Sequence, residues 1–376
     1  MKKNTNNLFF LLLMALSSSL FWGCTTDAVT PDPVGFPFEL WVTDQGLNNV
    51  TVLDGNTMET KEVIDIALAG GSKPHMVLFS PDFRFAYVAC VGGEGATVII
   101  RTSDYSVITT LATGKSSHAS IPSWDGARVW VASIGEKILR EIMVDADNES
   151  FTISRELDLA AALPDLEQYP ASKPICHMFT YDNKSCYVTL GGGGLAVVDV
   201  ASMQVTKSYP VSQIKPAGCG LVNGPPGSNV MFANSGTSGT GNFYMFNSVS
   251  HDILATMDTG ADGLDAHGVS ITPNGRELWM INRHSDNIRI FDLRSMQFTE
   301  TIQNTGDAPD LIFFSPQGDR AFITTRGDAR TGPHANSGTN PGVLVIDVAT
   351  KTPMGVTPIG SLSESDPHGI GLFPGR

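Results

Sequence analysis

Five side chains capable of shared chemistry fall at one repeated position in this sequence. They are His75, His118, His267, Asp310 and His368, each at the start of a mostly apolar run: Pro74-His75, Ser117-His118, Ala266-His267, Pro309-Asp310 and Pro367-His368. Counting back seven residues from Asp82, Asp125, Asn274, Gln317 and Gly375 lands on each of them, and the same count from Asp182 lands on Ile175. One further unit has an altered turn; aligned on Lys215-Pro216 it offers Ala217. Imidazoles are the commonest transition-metal ligands and titrate near neutral pH, so such a set could hold a metal or form a proton-active group. The plainer account is structural: a repeat copies its residues whether or not each copy works, and the histidine could simply bond the backbone of the next unit. His177 and Cys219, two residues further along two other units, form a second candidate metal pair, for which core packing is the competing account.

These residues are positioned by a unit that recurs along the chain. A buried run ends in a turn, as in Val77-Leu78-Phe79-Ser80-Pro81-Asp82. An aromatic and β-branched run follows: Tyr87-Val88-Ala89-Cys90, Trp130-Val131-Ala132-Ser133, Tyr187-Val188-Thr189-Leu190 or Trp279-Met280-Ile281-Asn282. A third run closes on Asp, at Asp54, Asp199, Asp292 and Asp347, and a more polar fourth leads to a Gly. Four short strands in each unit of roughly 40–50 residues make a propeller blade. The unit starts at positions 75, 118, 175, 217, 267, 310 and 368, so the fold class is all-β, a seven-bladed β-propeller of four-stranded antiparallel blades. The chain ends just after the last start, and the strands missing there are present at Leu40-Trp41-Val42-Thr43, Val50-Thr51-Val52-Leu53-Asp54 and residues 62–66. N-terminal strands plus one C-terminal strand are therefore expected to complete a shared blade and close the ring.

The pattern Pro-His-x-x-x-x-Ser-Pro-Asp followed by Tyr-Val resembles the YVTN-repeat β-propeller family over residues 38–376. That resemblance implies the propeller fold, and it embraces binding and surface proteins, lactonases, and the haem- and copper-bearing propellers of denitrification; similarity to the haem-binding nitrite reductase propellers lies in repeat pattern only. In a propeller the first strand lines the central channel, so the five residues are expected as an arc on adjacent blades at one mouth. Spread around a wide ring, they could not all reach one ion at about 2.1 Å, and an anion, organic ligand or macrocycle is the better expected fit. Long insertions converge on that mouth: residues 325–342, with Arg326, Arg330 and His334; residues 159–173, with one helical turn near Ala160-Ala161-Ala162; and a Gly/Ser-rich loop at 234–241. Arg326 and Arg330 suit an anionic group, or else pair with Asp328 and nearby carboxylates. No nucleophile elbow, phosphate loop or dinucleotide fingerprint is present, and Gly191 to Gly194 read as a loop between second and third strands.

The first residues are an address. Lys2 and Lys3 precede an apolar stretch from Leu8 to Leu20, which ends at Phe21-Trp22-Gly23-Cys24. Residues 1–23 read as a signal peptide and residues 24–37 as a tether, lipidated at Cys24, which places the protein in the cell envelope. Thr25 rather than Asp after the Cys points to the outer membrane of a Gram-negative host. A net charge of −14 excludes nucleic acid, since phosphate binding needs a basic stripe. Cys90, Cys176, Cys186 and Cys219 fit neither a zinc ribbon nor covalent haem attachment and read as small buried residues. The expectation is a monomeric, membrane-anchored binding or scaffold propeller, its partner a protein or small anionic ligand at the loop-rich mouth. The alternative is a cofactor- or metal-dependent enzyme or haem carrier using the histidine arc.

Overall fold

The computed structural model describes residues 36–216, 218, 220–327 and 338–375. They form seven four-stranded antiparallel sheets, each a meander running outward from the channel. The first strands are Pro74–Phe79, Ser117–Pro122, Pro174–Phe179, Leu221–Asn223, Ala266–Ile271, Pro309–Phe314 and Pro367–Pro374, which begin blades one to seven. The seventh blade is composite: Pro367–Pro374 pairs antiparallel with Phe38–Asp44, from Phe38 opposite Pro374 to Asp44 opposite Pro367. Ring closure by the two ends of the chain is as the repeat spacing requires.

Seven apolar clusters hold the ring, one between each pair of neighbouring blades. Trp130, Phe179 and Val188 meet between blades two and three, for example, and Trp41, Val77 and Val98 between blades seven and one. Strand alternation explains this, because successive residues of a second or third strand face opposite neighbours. Trp41, Trp130 and Trp279, at equivalent places on second strands, are fully buried.

The turns after the first strands explain the recurring Ser/Thr-x-Asp/Asn. Ser80, Ser123, Thr180 and Thr272 donate their hydroxyls to Asp82, Asp125, Asp182 and Asn274 at 2.5–2.8 Å. The same acceptors receive backbone N–H groups two residues on, at Arg84, Ala127, Lys184 and Arg276. These carboxylates are turn formers, not chemistry.

Two insertions differ in detail. Leu159–Ala162 is a single helical turn, capped by the Asp158 carboxylate. Residues 234–241 are not a loop: Val230–Thr237 and Thr240–Asn247 pair through Asn234 opposite Phe243 to Thr237 opposite Thr240. Small polar residues there still satisfy a ladder, so the hairpin runs on past the Gly and Ser residues. Cys90 and Cys186 are buried free thiols, as expected. Cys176 is instead disulfide-bonded, and neither free thiol is its partner, so the other half lies outside the described residues.

Candidate functional site

Six of the seven first strands carry a one-residue irregularity at the position singled out by the repeat; in the fourth blade that position, Ala217, lies outside the described residues. Pro74 pairs with Cys90 and Met76 with Ala89, so His75 is an extra residue. His118 is likewise extra between Ser117 and Ala119. Bulges of the same kind contain Ile175, His267, Asp310 and His368. A bulge frees a residue from the ladder and re-aims its side chain. The backbone ahead is turned sharply too: Lys73, Ser116, Asp265 and Ala308, each two residues before such a position, have φ between 50° and 58°.

The bulges aim the side chains inward until they touch. His75 stacks on His368 with ring centroids 3.6 Å apart and lies 4.2 Å from His118; His267 lies 5.8 Å from His368. The Asp310 carboxylate oxygens lie 3.0 Å from His267 Nε2 and 3.4 Å from His368 Nε2. One ligand atom from each of His267, Asp310 and His368 falls within 4.8 Å of the others. All five residues are buried, His267 the most exposed at 1%. The expected wide arc at an open mouth is therefore corrected: bulged strands and long side chains bring the groups together as a compact cluster inside the channel. For His267, Asp310 and His368 the objection to a single ion therefore falls. A tetrahedral site with bonds of about 2.1 Å has ligand–ligand edges of about 3.4 Å, close to the two Asp310 contacts.

Hydrogen bonds settle which ring nitrogens face the cluster. His368 Nδ1 lies 2.9 Å from the His75 carbonyl, so it donates and Nε2 is the lone-pair side. His75 Nδ1 lies 3.0 Å from the Gln45 side-chain oxygen, another acceptor, so its Nε2 is again the lone-pair side. His118 is held by the backbone of Ile175; its Nε2 stands 2.8 Å from Nε2 of His75. Burial, the largest cause, pushes His75, His267 and His368 well below the usual imidazole range, assisted by neighbouring histidines and arginines. His118 is brought to about 3, again mainly by burial. The cluster thus presents neutral imidazoles, the ligand form, at neutral pH.

Two arginines frame it. Arg326 is fully buried and forks onto Asp366, Nε to Oδ1 at 2.6 Å and Nη2 to Oδ2 at 2.8 Å, while Nη1 donates to Asp310 at 3.1 Å. Its partners are therefore Asp310 and Asp366, and the anion expected beside it is supplied by the protein itself. Arg283 grips Asp265 at 2.9 and 3.0 Å and approaches Asp310 at 3.6 Å. Counted as ionised, three carboxylates and two guanidiniums leave one formal negative charge, while burial pushes the Asp310 carboxyl upward against the pull of Arg283 and Arg326. Arg283, Asp265, Asp366 and Gln45 were not among the residues singled out in the sequence, yet a signal existed. Gln45, Arg283 and Arg326 each directly follow a second strand, where blades one to three have Val91, Ile134 and Gly191.

The remaining candidates lie elsewhere. His177 is buried on Pro174–Phe179, brought to about 3 by burial, and lines an apolar cavity instead of joining the cluster. Cys24, Cys219, Arg330 and His334 lie outside the described residues.

Fold and cluster together define a seven-bladed β-propeller with a buried histidine–carboxylate centre. No family model matches the chain, and no curated protein does. Among solved structures it is similar to hydrazine synthase of Kuenenia stuttgartiensis, at 15% identity and a TM-score of 0.64, covering 87% of this chain and 99% of that one. It is also similar to the dihydro-haem d1 dehydrogenase NirN in complex with DHE, at 17% identity and a TM-score of 0.57, covering 90% and 75%. At these identities the likeness shows the propeller fold. A macrocycle does not fit the centre seen here, because His75, His118 and His368 fill it ring against ring, with centroids 3.6–6.4 Å apart.

Proposed function

We propose that this chain is an envelope-anchored propeller of the YVTN-repeat type that binds a divalent transition-metal ion in its channel. His267, Asp310 and His368 are the ligands, and His75 and His118, hydrogen-bonded to each other, pack beside them. The observation that carries this reading is the meeting of two imidazoles and a carboxylate within 4.8 Å. Neutral lone-pair nitrogens, a residual negative charge and complete burial support it. Imidazole and carboxylate donors suit zinc, copper(II), iron(II) or nickel over soft copper(I). Three protein ligands leave a coordination position that one water molecule would complete. Residues 1–23 act as the export signal, Cys24 as the lipidated residue and residues 24–37 as the tether, with an outer-membrane location following from Thr25.

The test is metal analysis of soluble chain starting at Thr25, purified without chelators, followed by cobalt(II) titration of the stripped protein. Near-stoichiometric metal and a cobalt d–d band are expected in the wild type, both absent from His267→Ala/His368→Ala. A folded wild type that is metal-free and gives no d–d band overturns the reading and returns the cluster to a structural role.

A further inference from the structure

Beneath the histidine cluster the channel changes character. Along the first strands, Met76, Gly268 and Leu311 directly follow His75, His267 and Asp310, and they line a cavity of about 280 Å³. Its wall is drawn from the first strands of all seven blades and the Trp124 turn, and it contains no Asp, Glu, Lys or Arg. The glycines following the cluster residues have a steric reason: a Cβ at Gly268 would stand 2.4 Å from the Asp310 carbonyl, and one at Gly369 2.6 Å from the His75 carbonyl. The neighbouring first strands approach too closely there for any side chain.

Two features distinguish this cavity from a packing defect. His177 lines it with 0% exposure, and neither ring nitrogen reaches good hydrogen-bond geometry: the Ile121 and Trp130 backbones pull on the ring without satisfying it. An imidazole stripped of water with no hydrogen bond is costly unless something else satisfies it. Trp124, which lines it, is 45% exposed, and its ring lies 4.8 Å from that of Tyr181, itself 44% exposed. Apolar cavities of about 150 Å³ already bind benzene, so the space here takes a substituted single ring.

We infer that the lower channel is a binding chamber for a small neutral aromatic molecule bearing one hydrogen-bonding group, which His177 receives. Met76 and Met178 offer polarisable sulfur to the ring, and the absence of charged walls rejects ionised compounds. The chamber rests on different observations from the metal reading, and its test is run on chelator-stripped protein so that either can fail alone.

The probes are 4-fluorophenol and fluorobenzene, followed by fluorine NMR during titration with the soluble chain. Both are expected to saturate, with the phenol binding about fivefold tighter, since a neutral hydrogen bond contributes about 1 kcal/mol. His177→Phe should abolish that preference and leave fluorobenzene binding unchanged. Ser270→Phe and Val222→Phe fill the chamber from two different strands, and whichever folds should lose both probes. The inference is overturned if neither probe saturates with the wild type, if His177→Phe keeps the preference, or if a folded filler variant binds as before.

Discussion

Arg326 shows how much one buried side chain organises. Its guanidinium spans Asp366 and Asp310, and so joins blades six and seven beside His368. Burial opposes its charge, but Asp310 and Asp366 outweigh that and hold the guanidinium above its ordinary value. Replacing it with Met leaves two buried carboxylates without their cation, and breaking such a pair costs about 3–5 kcal/mol. Arg326→Met should lower the urea midpoint accordingly, and Arg326→Lys should recover less than half, because a point charge cannot fork onto Asp366. A Met variant as stable as the wild type would show that the network contributes nothing net. The sequence marks Arg326 as a scarce cation, but it cannot tell which carboxylate comes near. Asp328 is adjacent in sequence, whereas the observed partners lie 16 and 40 residues away. The histidines were legible because a repeat displays equivalent positions side by side. Their convergence was not, since ring diameter and side-chain reach are properties of the closed fold.

At the level of strands, the bulges are secured by a repeated side-chain bridge. Opposite the bulge of blade seven, Thr43 Oγ1 accepts from the Gly369 N–H at 2.8 Å and donates to the His75 carbonyl of blade one at 2.9 Å. Thr324 does the same between Leu311 N–H and the His368 carbonyl, and Thr189 between Cys176 N–H and the Gly218 carbonyl. Asn234 links Gly220 N–H to the His267 carbonyl with its amide. Each bridge satisfies a backbone N–H of one first strand and ties it to the next, and three of the four end on the carbonyl of a cluster histidine, His75, His368 or His267. Thr43→Val keeps the shape and removes both bonds, leaving buried backbone groups unsatisfied at a cost of about 1–3 kcal/mol. The variant should unfold earlier in urea, and if the metal reading holds it should also bind cobalt(II) more weakly than an equally destabilised surface variant. Unchanged stability would mean that the backbone groups find other partners. Strand identity was readable from alternation and aromatic content, but a bulge is invisible to alternation within one strand. It appears only when the strand is counted against its neighbour, and the bridging residues, Thr in some blades but Ala89, Ala132 and Ile281 at the equivalent places in others, follow no single pattern.

For the molecule as a whole, the last strand is both fastener and part of the centre. Asp366 accepts from Gln45 Nε2 and from both arms of Arg326, and its own N–H donates to Asp44. Two residues on, His368 enters the cluster beside His75 of the first blade. Closing the ring and assembling the centre are thus the same event. An ion bound there links blades five, six and seven, and it stabilises the closed ring by about 2.7 kcal/mol at a hundredfold excess over its Kd. A chain ending at Ser365 loses the inner strand of the composite blade, Asp366 and His368 together. It exposes the edge of Phe38–Asp44 and leaves Trp41 and Val77 on an open interface. Calorimetry should show a broad, early transition for that chain, with no effect of chelator, whereas the wild type melts sharply and melts lower once chelated. Asp366→Asn separates the two roles, since the strand and His368 remain while the ion pair is weakened. It should keep the sharp transition at a reduced midpoint and retain a chelator shift. If the shortened chain melts as sharply and as high as the wild type, the ring is held by its interblade clusters alone and the C-terminal strand is dispensable. If the wild type ignores chelator while the truncation still collapses, the fastening is mechanical and the histidine centre adds no linkage to it.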